Sequence, residues 1–147
     1  MIPEFVPRGT LPPGVHNATW KELAARFGTT PRRQTLLEGL RRALVQLRNA
    51  GCHTAWIDGS FVTAKPEPQD FDGCWAAEDV DPDLLDPVLL DFRQGRAAQK
   101  AAYGGELFVA SSAESGSGIT YREFFQTDHE GRRKGIVALQ LQRDKSL

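Results

Sequence analysis

Residues 56–75 read WIDGSFVTAKPEPQDFDGCW. Two short runs rich in apolar, β-branched and aromatic residues flank a glycine–serine pair and a proline-broken loop, so no continuous helix can cross the segment. The first run, 53–58, predicts a buried strand that ends at Gly59, and the second, 70–76, predicts another strand. Residues 59–69 join them, which suits antiparallel or mixed neighbours in one sheet. Asp70 and Asp72 are two apart on the second strand and therefore share a face. They stand side by side, facing whatever the Gly59-Ser60 turn holds. A carboxylate pair placed like this suits a divalent cation that itself carries phosphates.

The rest of the composition sets bounds on that idea. At 147 residues the chain fits one domain, long enough to bury roughly 70% of its unfolded surface. Hydrophobic residues make up 40% and charged residues 25%, as in an ordinary globular protein. The net charge of −1 gives no bulk attraction to nucleic acid or membrane, so any polyanion site is a local patch. Cys52 and Cys74 lack C-x-x-C spacing and read as buried thiols of a reducing, cytoplasmic compartment. MIPEFVPRG has no basic-then-apolar pattern, and no apolar run approaches a membrane span, so neither signal peptide nor membrane contact is expected.

Residues 1–18 contain Pro3, Pro7, Pro12 and Pro13 with Gly9 and Gly14. They predict an extended arm, laid on a single domain over 19–147 by Ile2, Phe5, Val6 and Leu11. His16 at its end has no second ligand nearby and reads as a surface or capping residue. Thr19 and Glu22 fit a capping box, and Trp20, Leu23, Ala24 and Phe27 fall at i, i+3, i+4 and i+7 before Gly28. Thr30-Pro31 opens a longer helix with a Leu36, Leu37, Leu40, Leu44, Leu47 stripe, ended by Gly51. Its arginines Arg32, Arg33, Arg41, Arg42 and Arg48 read as a solvated face, with contact to a phosphate backbone as the alternative.

Further on, Asp81-Pro82 and Asp86-Pro87 each offer a helix start, and helical character is expected to run to Gly104-Gly105. Residues 106–110 predict a third strand, 111–118 a flexible loop, 121–127 a helical turn and 135–141 a last strand. The order predicts an α+β fold with a small mixed sheet packed against helices. Arg132-Arg133-Lys134 is the densest basic cluster and reads as a solvated hairpin turn, with contact to RNA or another polyanion as the alternative. His16, His53 and His129 are too scattered for zinc.

Gly59-Ser60, nine residues, then Asp70-x-Asp72 resembles the signature of the DNA polymerase β-like nucleotidyltransferase superfamily. With the preceding helices and the later FFQTDHEGRRKGI, the chain also resembles a family of short bacterial nucleotidyltransferase-like proteins of uncharacterised function. The resemblance implies a nucleotidyltransferase-like fold and a third carboxylate from a later strand, for which Glu106 is the candidate. It implies that Asp70, Asp72 and Glu106 hold Mg²⁺ or Mn²⁺, with Glu106 assisting deprotonation of the attacking hydroxyl. Gly59 and Ser60 would hold the phosphates of a nucleoside triphosphate, ATP included, and Lys65 and Lys100 are further phosphate-binding candidates. Where many minimal members carry a small residue-Arg-Gly after Gly-Ser, this chain has Phe61-Val62-Thr63. Glu106 stands where aspartate is commoner, and Asp58 is a rival carboxylate or a hydrogen-bond partner of the turn.

The functional expectation is transfer of a nucleoside monophosphate from a nucleoside triphosphate to an RNA or protein acceptor. By resemblance, the setting is a toxin–antitoxin or phage-defence pair with a cognate partner. The alternatives are a catalytically inactive module that binds nucleotide or partner, and a plain α+β domain whose acids hold no metal.

Overall fold

The computed structural model describes residues 1–147. Five strands form one mixed sheet: β1 (Gly14–Ala18), β2 (Thr54–Asp58), β3 (Phe71–Trp75), β4 (Gly105–Val109) and β5 (Gly135–Gln140), in the order β1-β5-β2-β3-β4. β2 runs antiparallel to both β3 and β5, whereas β1–β5 and β3–β4 are parallel pairs. Four helices accompany it: α1 (Trp20–Phe27), α2 (Pro31–Asn49), α3 (Arg93–Tyr103) and the single turn α4 (Tyr121–Phe124). None is long and apolar enough to cross a membrane.

Period-two alternation along the strands divides the sheet into two unlike faces. Ala55 and Ile57 of β2, Phe71 and Trp75 of β3, Leu107 of β4, and Val137 and Leu139 of β5 pack into the main core with Leu36, Leu40, Leu44 and Leu47 of α2. The residues between them form the other face. There, Cys74 and Ile136 join Ala110 and Phe125 in a small second cluster, with Trp56, Phe108 and Tyr121 at its margin. The far ends of β2, β3 and β4 on that face carry Asp58, Asp72 and Glu106.

The capping box at Thr19 and Glu22 forms as its spacing predicts, and Thr30 caps α2 with Pro31 at its first position. Three expectations need correction. Residues 14–18 of the proline-rich arm are a strand, not only an extended tail, because β5 offers them a free edge. Leu11 of the same arm lies in the main core, so arm and domain share one interior. The Asp-Pro starts give 3-10 turns at Pro82–Leu84 and Pro87–Leu90 instead of one long helix, each capped by its aspartate. Residues 111–118 are tied down by an Ala113–Thr120 bridge and by Glu114, whose carboxylate accepts from the Gly116 and Ser117 N–H groups. On the outer edge of β4 the buried Gln99 side chain accepts from the Leu107 N–H, covering a donor that a further strand would otherwise take.

Candidate metal centre

Strand register brings the acids together. Asp58 pairs with Asp72 across β2–β3, and Asp72 pairs with Glu106 across β3–β4, so three adjacent strands present carboxylates in one row on one face. Asp70, two residues before Asp72, joins them on that face. Carboxylate oxygens of Asp70, Asp72 and Glu106 lie within 4.8 Å of one another, close enough to share one cation. All three side chains are half-buried.

Asp58 does a different job. Its side chain is buried, and Lys134 Nζ stands 3.3 Å from its Oδ1, an ion-pair distance without hydrogen-bond alignment. Lys134 is thus drawn inward, while its neighbours stay outside: Arg132 pairs with Asp128 and Glu130, and Arg133 with Glu123. The basic run expected to be a solvated hairpin turn is split, with its last member serving the acid row.

The electrostatics favour a cation. Burial, then the charges of Asp70, Glu106 and Asp58, push the Asp72 carboxyl up to about 7, with Lys134 opposing. Burial raises Asp58 to about 6 against the pull of Lys134. Asp70 is raised as well, first by burial and then by Glu106, with Lys100, Arg32 and Lys65 pulling the other way. Like charges crowded away from water raise one another's pKa, and a divalent ion with oxygen ligands relieves that repulsion directly.

The Gly59-Ser60 turn sits against this row. Gly59 has φ +80, and a β-carbon there would overlap the Asp72 carboxylate, so both conformation and space require glycine. Ser60 opens the 3-10 turn Ser60–Val62 and is half-buried. Lys100 of α3 approaches Glu106 Oε1 at 3.8 Å. Lys65 is exposed in the following loop, near enough for its charge to bear on Asp70.

Sequence reading missed the arginines that shape the centre. Arg33, expected on the solvated face of α2, is 2% exposed. Its guanidinium donates to the carbonyls of Phe27, Phe61, Thr63 and Lys65, clamping the loop after Ser60 onto α2. Arg32 donates to the carbonyls of Pro68 and Gln69, fixing the chain just before Asp70. Arg96 Nε donates to Glu106 Oε2 at 2.5 Å. No local pattern marks these residues, since their partners lie in other elements.

Residues 3–140 match a family of unknown function, DUF6932. The chain belongs to this family. No curated protein and no solved structure matches it. Within this DUF6932 chain the matched span includes the whole acid row, the Gly59-Ser60 turn and Lys134. The family description carries no activity.

Proposed function

We propose that this DUF6932 protein is a nucleotidyltransferase-like enzyme of the cytoplasm, dependent on Mg²⁺ or Mn²⁺, that moves a nucleoside monophosphate from a nucleoside triphosphate to an RNA or protein acceptor. The convergence of Asp70, Asp72 and Glu106, with Gly59 packed on Asp72, carries this reading. Asp70 and Asp72 would hold the cation, which supplies charge neutralisation at the phosphates. Gly59 and Ser60 would approach the triphosphate through backbone N–H groups and the hydroxyl. Glu106 would sit at the cation and take up the proton of the attacking hydroxyl. Lys65 and Lys100 would contact phosphate oxygens. The α-phosphorus–oxygen bond to pyrophosphate breaks as the bond to the acceptor oxygen forms, and pyrophosphate leaves.

The likeness of the DGS…DFD segment to the DNA polymerase β-like superfamily supports the same reading and suggests a toxin–antitoxin or phage-defence setting with a cognate partner. A second reading, a nucleotide- or partner-binding module without turnover, is favoured by the ion pairs of Glu106 with Arg96 and Lys100, which engage both of its oxygens. Incubation with α-labelled nucleoside triphosphates, Mg²⁺ or Mn²⁺, and total RNA or the neighbouring gene product separates the two. Label on an acceptor that disappears in Asp72→Asn supports the enzyme. Nucleotide- and metal-dependent thermal stabilisation without label supports the module, and neither response overturns both.

A further inference from the structure

α3 begins abnormally. Gln94, Gly95 and Arg96 lie in the left-handed region, at φ 52, 63 and 61, before the right-handed helix continues to Tyr103. For Gln94 and Arg96 that conformation works against their β-carbons. Gln94 and Gly95 are exposed, so core packing does not impose the turn on them. Such strain persists only where the surroundings hold it. At the near end, Asp91 grips Arg93 through backbone and guanidinium bonds. At the far end, Arg96 is held by Glu106 and by the ring of Phe108, over which its guanidinium lies at 5.3 Å. Phe108 is itself fixed by stacking on Tyr121 at 4.2 Å between ring centroids.

Arg96 therefore occupies the very carboxylate that completes the acid cluster, while Asp70 and Asp72 have no ion-pair partner. With Arg96 at Oε2 and Lys100 near Oε1, a cation at the centre has to compete with these side chains for Glu106.

We propose that Arg96 is a displaceable counterion, which holds Glu106 while the centre lacks a divalent cation and moves onto the phosphates of a bound polyphosphate when the cation takes Glu106. The proposal rests on the reading of Asp70, Asp72 and Glu106 as a metal and nucleotide centre. A guanidinium presents a planar fork that fits phosphate as well as carboxylate. Release lets residues 94–96 relax, and Arg96 joins Lys100 at the phosphates. The exchange is one ion pair for another, with no covalent step.

The test is Mn²⁺ titration of the full chain, alone and with inorganic tripolyphosphate, on the wild type and on Arg96→Ala, Gln94→Gly and Asp72→Asn, each checked for a cooperative melt. Arg96→Ala is expected to bind Mn²⁺ alone about three- to tenfold more tightly, and Mn²⁺ with tripolyphosphate more weakly by a similar factor. Gln94→Gly removes the penalty on the strained turn and is expected to move Mn²⁺ affinity the opposite way, downward. If Arg96→Ala leaves Mn²⁺ affinity unchanged or weakens it, or strengthens both ligands together, the exchange is overturned while the centre stands, provided Asp72→Asn abolishes binding. If the wild type binds no Mn²⁺ and Asp72→Asn behaves identically, the metal reading falls and the exchange falls with it.

Discussion

Gly59 and Asp72 touch across the β2–β3 register so closely that residue 59 has no room for a side chain. The turn that follows β2 is therefore shaped around a carboxylate, and the two features that stood apart in the sequence are a single packed unit.

Gly59→Ala should expose that unit. The substitution must strain a φ of +80 and displace the Asp72 carboxylate. We expect a loss of about 2 kcal/mol of stability, read by urea denaturation, together with at least tenfold weaker Mn²⁺ binding. Ala64→Gly, in the same loop, should leave Mn²⁺ binding unchanged.

Removing Lys134 leaves Asp58 buried without its cation. Lys134→Met is expected to lower stability by about 3 kcal/mol, the usual consequence of orphaning one member of a buried pair. Asp58→Asn added to Lys134→Met should recover much of that loss in the same denaturation experiment. If the double variant is no better than the single one, Lys134 supports the fold through its packing.

The acid row also makes a statement about pH. Asp72 at about 7 and Asp58 at about 6 bind protons more tightly in the folded chain than in the unfolded one. Their contribution to stability is full below about pH 4, near the ordinary aspartate value, and declines as pH rises towards 7. Without divalent cations, thermal unfolding at pH 5 should lie above that at pH 8 by several degrees. Millimolar Mg²⁺ should narrow the gap by raising the pH 8 value.

Arg33 is the loop's fastening. Arg33→Met keeps the apolar stem and abandons four carbonyl partners, so we expect destabilisation of about 3 kcal/mol. Arg33→Lys should recover little, because an ammonium cannot reproduce the fork that spans Phe61, Thr63 and Lys65. Faster hydrogen exchange at Val62 and Thr63, whose N–H groups bond to Gly59 and Ser60, would show that the loss is local to this loop.

Much of this fold was legible because local signals agreed with tertiary demands. The capping box at Thr19, the Pro31 start of α2 and the paired runs around residues 56–75 each formed near their expected bounds. β1 was hidden because GVHNA follows a proline-rich stretch and becomes a strand only through its pairing with β5, more than a hundred residues away. Asp70 and Asp72 could be put on one face from their spacing, since period two is a property of strands, whereas Glu106 was named only through the resemblance to nucleotidyltransferases and reaches them by β3–β4 register. The cations around them could not be placed from spacing: Arg33 and Lys134 are long side chains on surfaces that read as solvated, Arg96 carried no reading of its own, and only the folded arrangement of loops and sheet turns them inward. Burial of Arg33 therefore escaped a helical-wheel argument that correctly placed the leucines of α2.

The position of β5 has a consequence for how the molecule comes into being. As the chain is made from its N-terminus, β2, β3 and β4 can pair as a three-strand unit with the acid row already aligned. β1, however, waits without a neighbour until residues 135–140 leave the ribosome and slip between it and β2. Lys134 arrives in the same step, immediately ahead of the inserting strand. The counterions of the acid row are thus split in chain order: Arg96 and Lys100 precede β5 and reach Glu106 without it, whereas Asp58 gains its cation only with the residue that leads the last strand into the sheet.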